Sequence, residues 1–529
     1  MTERVHPGFV LLSVAVTAAV ALAPLSGISL AGQYALATMA FAGALWITGA
    51  VPLPVTALLV PVALVVLGVY SDFGDAVRGF ADPVIFLLLA GFVLAEAMQA
   101  RGLDRRVAFR VLARVGRSPR RLVAGVMVTT AGLSMVVSNT ATTAMMVPIV
   151  VGLLAQVASG GDGGMEANDD GQSVETDGGE RVVGTDGDEG SPASTGHNET
   201  AAGLPNLRAS LLLGTAYAAS LGGVGTLIGT PPNAIVVSQL RELAGVEVTF
   251  VDWLAIGLPM VAVTLPIGWY LLTHVVYPPE AVDVSAARRA AREHVESAGP
   301  LGTRERRVIA VFLLTAGLWL LGGFEFFFHT VLPPDWHVLL FGGTGETALG
   351  TVGHQGLLYF VLVGVLAIPA LVVSGGATWE EVADVDWGTL VLFGGGISLA
   401  NALADTDATR WLADVTVGAF ADAPILLVLA AVIALTVVVG EIASNTAMAA
   451  VLAPILITVG PRYAGALGVA PVTAATFLAI TGALAASYGF ALPVATPPNA
   501  IVYGAGEVTR EQMLRAGVLL DVVMILVAT

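Results

Sequence analysis

Long apolar runs dominate the chain, and each is bounded by a short polar or charged stretch. Runs of about 17–25 residues, the length that crosses the hydrocarbon core of a bilayer, recur from residue 8 to residue 529. None shows the alternation of apolar and polar residues that the strands of a membrane β-barrel require. The pattern predicts an all-α polytopic membrane protein.

Two arginine-rich connectors divide the apolar runs. Residues 101–121 and 279–307 carry arginines among apolar residues at helical spacing, which predicts amphipathic helices on a membrane surface. Arginine-rich short loops stay inside the cell, so both connectors are expected on the cytoplasmic side, as ordinary solvated connectors would also be. The predicted spans are residues 8–26, 33–49, 52–69, 83–98, 252–278, 306–323, 353–375, 384–403 and 511–529.

Two polar phrases that interrupt helices occur twice, in the same order. Ser-Asn-Thr is found at residues 138–140 and 444–446, and Thr-Pro-Pro-Asn-Ala-Ile-Val at residues 230–236 and 496–502. This repetition indicates a duplicated membrane unit. Non-helical backbone at membrane depth is tolerated only where it lines protein or a watery cavity, so the four phrases together predict one binding site. For any single phrase, a proline kink with satisfied Ser and Asn side chains is the alternative.

The predicted topology agrees with two cytoplasmic arginine connectors only if each Ser-Asn-Thr phrase lies at the tip of a re-entrant hairpin. If residues 122–157 crossed the membrane once, the two arginine connectors would face opposite sides. Hairpins at residues 122–157 and 423–459 place both connectors in the cytoplasm and invert one half of the chain relative to the other. The predicted fold is an inverted repeat with about eleven transmembrane helices and two re-entrant hairpins. The N-terminus is expected inside and the C-terminus outside.

An acidic stretch separates the phrases of the first half. Residues 158–204 are rich in Gly, Asp, Glu, Ser and Thr and are expected to be disordered. The phrases start 92 residues apart in the first half (138 to 230) and 52 apart in the second (444 to 496), a difference of 40 that nearly equals the length of the stretch. We therefore interpret it as an insertion. Binding of a partner or of cations is the alternative.

Composition supports a membrane protein and suggests its surroundings. Hydrophobic residues make up 56% of the 529 residues and charged residues only 12%, against about 25% charged in soluble proteins. The net charge is −17, and all 23 basic residues are arginine. An acidic excess without lysine fits a protein in very high salt, as in a halophile, although biased genomic composition would also remove lysine. The absence of cysteine excludes disulfides, thiol chemistry and cysteine metal sites.

The residue types of the repeated phrases favour ion binding. Backbone carbonyls with Ser, Thr and Asn oxygens suit Na⁺, whereas N–H groups at helix N-termini suit a carboxylate or sulfate. No Lys or Arg lies within the phrases, so an anion would be neutralised by helix dipoles and co-bound cations. Glu441, an acid in an apolar segment, is either a hydrogen-bonding brace of the second hairpin or a proton site.

An intramembrane enzyme is the alternative from a different class. It would need paired acids, a Ser–His or Ser–Lys pair, or a metal cluster at matching depth. The seven histidines lie mainly near loops or the ends of spans, and no H-E-x-x-H motif occurs. The chain is therefore expected not to be an enzyme. Neither an organic cofactor nor a nucleic-acid partner is expected.

Residues 138–148 (Ser-Asn-Thr-Ala-Thr-Thr-Ala-Met-Met-Val-Pro) and the paired Pro-Pro-Asn breaks resemble the divalent-anion/sodium symporter family, also called solute carrier family 13. The resemblance covers nearly the whole chain, including Asp-Pro-Val-Ile-Phe at residues 82–86. It implies a plasma-membrane homodimer in which each protomer has a scaffold domain and a transport domain that moves by an elevator mechanism. The implied activity is symport of a dicarboxylate, citrate or sulfate with Na⁺. Anion exchange, or proton-coupled or arsenite-type efflux, is the alternative.

The resemblance also implies residue roles at matching positions. The Na⁺ ligands would be Ser134, Ser138, Asn139 and the Gly229 carbonyl in a first site, and Ala443, Asn445 and the Ala495 carbonyl in a second. Substrate contacts would come from Asn139, Thr140, Thr230, Pro231, Asn445, Thr446, Thr496 and Pro497. The family usually has a threonine where this chain has Gly440, so the second site lacks a ligand or relies on backbone.

The implied domain boundaries follow the repeated phrases. They are N-terminal scaffold spans (1–82), a first repeat core (83–278) with hairpin 122–157, insertion 158–204 and broken helix 205–243, a cytoplasmic connector (279–307), scaffold spans of the second repeat (308–375), and a second repeat core (376–529) with hairpin 423–459, broken helix 470–505 and a final span.

Deletion of residues 160–200 is predicted to leave anion uptake near normal, because the stretch lies outside the repeated unit. Asn139→Ala and Asn445→Ala are predicted to abolish uptake, because each removes a side chain from a repeated phrase. Uptake of labelled anion by cells with equal surface expression compares the variants. An inactive deletion variant that reaches the membrane would contradict the insertion.

Overall fold

The computed structural model describes the backbone of residues 7–159, 204–420 and 424–529. Most of the predicted insertion, residues 160–203, lies outside the described residues. The predicted stretch began at residue 158, but a helix continues to Ser159, and the next helix begins at Pro205.

Helices form nearly all of the regular structure in the described part of the chain, which confirms the predicted fold class. A short antiparallel pair of strands, β1 (Gly343–Glu346) and β2 (Val352–His354), was not predicted. The helices are α1 (Pro7–Leu22), α2 (Leu30–Thr48), α3 (Leu53–Val66), α4 (Phe73–Ala76), α5 (Pro83–Ala100), α6 (Leu103–Leu112), α7 (Pro119–Ser134), α8 (Asn139–Ser159), α9 (Pro205–Gly223), α10 (Pro231–Ala244), α11 (Phe250–Tyr270), α12 (Ser285–Ser297), α13 (Thr303–Gly323), α14 (Glu325–Phe328), α15 (Pro334–Phe341), α16 (Phe360–Val373), α17 (Trp379–Val382), α18 (Trp387–Asp405), α19 (Ala408–Phe420), α20 (Ile425–Gly440), α21 (Asn445–Val459), α22 (Ala464–Leu467), α23 (Pro471–Ala486), α24 (Pro497–Gly504) and α25 (Arg510–Ala528).

Seven of the described helical segments are long and apolar enough to cross a membrane. They are α2, α5, α8, α11 with the turn that continues it, α13, α18, and α21 with the turns that follow it. Only 17% of the apolar window of α13 is buried, against 67% for α18 and α21. The outer surface of α13 is therefore available to lipid, whereas α18 and α21 lie at the centre of the protein.

The chain reverses direction between α7 and α8, as the hairpin hypothesis requires. Helix α9 packs along both α7 and α8, so these two helices lie side by side. Helix α6 leads into α7 and also lines a cavity with the second half of α8, which puts the start of α7 and the end of α8 on the same side. Helices α20 and α21 are arranged in the same way, with α23 packed along both. Each Ser-Asn-Thr phrase lies at the reversal.

The interruption of each long helix lies earlier than the prolines suggested. The sequence predicts an interruption at the phrase of residues 230–236, but α9 already ends at Gly223 and the proline pair occupies the first turn of α10. Proline is well tolerated there, because the first helical N–H groups have no intrahelical partner. In the second half, α23 ends at Ala486 and α24 starts at Pro497. The prolines therefore begin a helix, and the break is the segment before them.

The two repeats exchange helices across the centre of the protein. Helix α10, which follows the first break, packs against α21 and α23 of the second half. Helix α24, which follows the second break, packs against α8 and α9 of the first half. Two repeats related by a pseudo-two-fold axis would pack in this reciprocal way. Each half of the chain therefore completes the other.

The two arginine-rich connectors form surface helices that touch each other. Helix α6 lies in the first connector, and α12, in the second, packs against α6 and α8. The guanidinium of Arg106 donates to the carbonyl oxygens of Gly299 and Ala298, at 2.8 and 2.7 Å. Both connectors therefore lie on the same side of the protein, as predicted.

Candidate ion and substrate site

The first hairpin tip is hydrogen-bonded to α9 close to the end of that helix. Ser134, the last residue of α7, is fully buried. Its hydroxyl lies 2.5 Å from Asn139 Oδ1 and 2.8 Å from the carbonyl oxygen of Ala219, and can donate to either. Ser138 accepts the backbone N–H of Ala141 at 3.3 Å and so caps the start of α8. The end of α7 and the start of α8 are thus connected through side-chain oxygens.

Glycines let the first break approach this tip closely. A Cβ atom on Gly223 would overlap Asn139 Oδ1, and one on Gly229 would overlap the carbonyl oxygen of Gly223. A side chain at either position would therefore force the tip or the break to shift. The structure therefore brings together Ser134, Asn139 and Gly229 of the predicted first Na⁺ site.

The second hairpin tip surrounds the segment that follows α23. Asn445 begins α21, and its Oδ1 is buried without a hydrogen-bond partner among the described residues. A Cβ atom on Gly440 would lie 3.7 Å from that oxygen and 3.8 Å from the carbonyl oxygen of Tyr488. A Cβ atom on Gly489 would lie 3.4 Å from the Cβ of Ala495. Asn445 and Ala495 of the predicted second Na⁺ site therefore flank one short segment.

The asparagine of each Pro-Pro-Asn phrase braces the break that precedes it. Asn233 Nδ2 donates to the carbonyl oxygens of Gly223 and Thr226, at 3.1 and 2.8 Å. Asn499 Nδ2 donates to those of Gly489 and Leu492, at 3.1 and 3.0 Å. Both asparagines are completely buried. The acceptors lie ten and seven residues earlier in each case, so the same brace is built twice.

Sequence reasoning missed these two asparagines as functional residues. They were part of the quoted repeat, but the resemblance assigned substrate contacts only to the Thr and Pro before them. Their signal was their position directly after paired prolines in both copies. The structure gives them a supporting role, because they satisfy carbonyl groups that the interrupted helices leave without partners.

Two carboxyl groups hold the second break from the side of the hairpin. Glu441 accepts the backbone N–H groups of Ala491 and Leu492, at 3.0 and 2.7 Å. Asp521 of α25 accepts the N–H of Phe490 at 3.2 Å. Three consecutive backbone donors are thus bound by acids that are themselves buried. The geometry matches the brace hypothesis for Glu441, and it adds Asp521, an acid in an apolar span that the sequence analysis passed over.

The starts of four helices carry the predicted substrate-binding residues. Helices α8 and α21 begin at Asn139 and Asn445, and α10 and α24 begin at Pro231 and Pro497. Gln239 of α10 donates to the carbonyl oxygen of Ala450 in α21 at 3.3 Å, which joins these two helices. Helix α24 packs against α8 in the reciprocal position. Free N–H groups at such N-termini attract an anion.

The predicted contact residues differ in accessibility. Thr140 and Pro497 are exposed, Thr446 and Pro231 are half-buried, and Thr230 and Thr496 are buried. The Thr496 hydroxyl accepts the backbone N–H of Asn499 at 3.2 Å, whereas Thr230 makes no such cap. The two halves are therefore similar in backbone plan but not in hydroxyl bonding.

The comparisons with known proteins agree with a transporter. The family model described as "Sodium:sulfate symporter transmembrane region" matches residues 8–529. The sodium-dependent dicarboxylate transporter SdcS of Staphylococcus saprophyticus is 31% identical over 500 residues, covering 94% of this chain and 84% of that protein. SdcS of Staphylococcus aureus strain USA300 is 31% identical over 489 residues, covering 92% and 82%. The YdaH transporter of Alcanivorax borkumensis, whose crystal structure shows an unusual topology, shares the fold with a TM-score of 0.53 and 15% identity, over 99% of this chain and 95% of that one.

Replacement of Asn499 by leucine is predicted to destabilise the protein, because two buried carbonyl groups lose their donor. Each buried polar group left without a partner costs about 1–3 kcal/mol. Thr264→Val is the matched control, since the Thr264 hydroxyl bonds only the Met260 carbonyl of its own helix. Thermal unfolding in detergent is expected to occur several degrees lower for Asn499→Leu than for Thr264→Val. Equal unfolding temperatures for the two variants would contradict a bracing role for Asn499.

Proposed function

Because the chain belongs to the sodium:sulfate symporter family, the divalent-anion/sodium symporters that its motifs resemble, we propose that it takes up a small divalent anion together with Na⁺. It is a multi-pass protein of the plasma membrane. Its curated relatives are named as transporters, in agreement with the prediction that the chain is not an enzyme. A four-carbon dicarboxylate such as succinate or malate is the proposed cargo, because those relatives are named as dicarboxylate transporters.

The meeting of helix N-termini without a basic side chain carries this proposal. The repeated phrases at the starts of α8, α10, α21 and α24 contain no Arg or Lys. An anion bound there is stabilised by N–H groups and helix dipoles, which are partial charges and add no net charge to the protein. In this proposal, bound cations supply the compensating net charge. The composition of the site therefore supports coupling to Na⁺.

Oxygen atoms at both hairpin tips fit a small hard cation. In the proposed first site, Ser134, Ser138 and Asn139 supply side-chain oxygens and Gly229 supplies its carbonyl. In the proposed second site, Asn445 supplies Oδ1, and Ala443 and Ala495 supply carbonyls. A buried acceptor without a donor is costly unless a cation or water completes it, and Asn445 Oδ1 is such an acceptor.

The proposed substrate site lies between the two tips. Asn139, Thr140, Asn445 and Thr446 would hold one side of the anion from the hairpins. Thr230 and Pro231, with Thr496 and Pro497, would present the starts of α10 and α24. Carboxylate and sulfate oxygens accept hydrogen bonds from such hydroxyl, amide and backbone groups. The reciprocal exchange of α10 and α24 is what allows both halves to contribute.

Transport by rigid-body movement is the proposed mechanism of release. The family resemblance implies a homodimer in which scaffold domains hold the membrane position and transport domains carry the site across. The tight packing of each tip against its break supports movement of the site as one body, because packed interiors shift between discrete arrangements instead of deforming.

Uptake into proteoliposomes tests the coupling. Radiolabelled succinate is expected to accumulate when external Na⁺ exceeds internal Na⁺ and not when choline replaces Na⁺. Unchanged uptake in choline would reject symport, and uptake that depends only on preloaded anion would indicate exchange. Thermal-shift measurements with succinate, malate, citrate and sulfate, each with and without Na⁺, identify the cargo by the largest stabilisation that requires Na⁺.

Gly440→Thr is predicted to strengthen Na⁺ binding, because a Cβ atom fits at this position within 4 Å of two acceptor oxygens. The added hydroxyl supplies the ligand that the family usually has there, and we expect a severalfold lower Na⁺ concentration for half-maximal uptake. Gly440→Ala is the matched control, since it adds the methyl group without the oxygen. A high-salt habitat, which the lysine-free acidic composition favours, would tolerate the weaker natural site. Identical Na⁺ dependence of the threonine and alanine variants would reject this role.

A further inference from the structure

Two adjoining cavities lie on the arginine-rich side of the protein. The larger has a volume of about 640 Å³ and lies between α6, α8, α12 and the start of α13. The smaller, of about 460 Å³, lies deeper along α8. Gly102, Arg105 and Met145 line both cavities, so the two are neighbours. Together they are called the arginine-side vestibule below.

Helix α8 forms one wall of the vestibule with a stripe of accessible residues. At intervals of four residues, Thr140, Ala144, Pro148, Gly152 and Gln156 are all exposed. Ala144 lines the deeper cavity, and the last three line the larger one. The stripe is about 24 Å long at 1.5 Å per residue. It begins at Thr140, in the proposed substrate site, and ends near the surface of the protein.

The opposite wall carries three arginines, of which two are already paired. Arg101 forms an ion pair with Glu381, and Arg106 lies 3.2 Å from Glu305. Within the described part of the chain, Arg105 has no carboxylate partner within ion-pair distance, and its side chain is exposed. Among the described residues, Arg105 is therefore the arginine of the vestibule without a carboxylate partner, and we take it as the one that meets an incoming anion.

The other described ionisable groups of the vestibule are paired, buried or stacked. Glu305 is neutralised by Arg106. Asp104 is buried, and its carboxylate accepts the backbone N–H of Arg105 at 2.7 Å. His294 is stacked on Phe109, with ring centroids 4.4 Å apart. Among the described residues, Arg105 is therefore the exposed cation of the vestibule, with Asp104 as the buried acid beside it.

We propose that the arginine-side vestibule is the cytoplasmic access route of the transported anion, and that Arg105 draws the anion along α8 toward Thr140. This inference rests on the proposed function, which identifies the transported ion as an anion. A cleft lined by one sign of charge, with walls of low dielectric, concentrates ions of the opposite sign and speeds their entry. Arg105 acts by attraction and is not a ligand of the bound substrate.

The absence of cysteine from the chain allows a direct test by thiol labelling. Ala144→Cys and Gly152→Cys place single thiols on the stripe, and a Cβ atom on Gly152 meets no atom within 4 Å. Val150→Cys is the matched control, because Val150 is on the same helix but completely buried. Methanethiosulfonate reagents that carry either a sulfonate or a quaternary ammonium group are applied to inside-out membrane vesicles, whose cytoplasmic face is outside.

Both stripe thiols are expected to react, and the control thiol is not. With each rate divided by the rate for a free thiol in solution, the anionic reagent is expected to be favoured at Ala144→Cys by about threefold to tenfold. Adding Arg105→Gln is expected to abolish the preference, and adding Arg105→Lys to retain it. Retention by lysine separates the effect of charge from any effect on folding.

Three results would overturn the inference. They are an Ala144→Cys thiol that reacts only from the opposite face, one that reacts only with uncharged lipid-soluble reagents, and a charge preference that survives Arg105→Gln. Labelling does not require transport, so it separates this inference from the proposed function. Charge-selective labelling without Na⁺-dependent uptake would retain the vestibule and reject the function. Na⁺-dependent uptake combined with stripe thiols that do not react would retain the function and reject the vestibule.

Discussion

Every backbone polar group inside a bilayer must find its partner within the protein, and the centre of this structure depends on how two interrupted helices meet that requirement. Each interruption frees carbonyl groups at membrane depth. In both halves an asparagine that follows two prolines donates its amide protons to two of them. The prolines add no unpaired donor, because they occupy the first turn of the next helix. The breaks are therefore fixed backbone geometry and not flexible gaps.

The same backbone plan carries different side chains in the two halves. In the first half, the Ser134 hydroxyl bonds the Ala219 carbonyl near the end of α9, and glycines let the break approach the hairpin tip closely. In the second half, the carboxyl groups of Glu441 and Asp521 hold three consecutive backbone N–H groups. Gly440 occupies the position in the second half that Ser134 occupies in the first, so a side chain is missing there and the space is open. Duplication explains the shared plan, and these contacts explain why the two proposed cation sites differ.

The exchange of helices between repeats makes the central site a property of the whole chain. Helix α10 begins at the first break but packs with the second hairpin, and α24 does the opposite. Neither half could assemble the four helix N-termini alone. On the arginine-rich side, the contact between α6 and α12 joins connectors that are far apart in sequence and closes the vestibule along α8.

The sequence by itself determined the membrane class, the repeat, the hairpins and the phrases that meet at the centre, because apolar length and helix-breaking residues act locally. The repeated Ser-Asn-Thr motif also located Asn139 and Asn445 at the hairpin tips, and the family resemblance pointed to Ser134. Only the tertiary structure showed that the prolines start helices, that Asn233 and Asn499 brace the breaks, and that Asp521 reaches Phe490. These roles depend on atoms seven to thirty-one residues apart in the chain, and their pairing is decided by how the helices pack. The vestibule has the same origin, since Arg105 and the α8 stripe become neighbours only when the hairpin folds back.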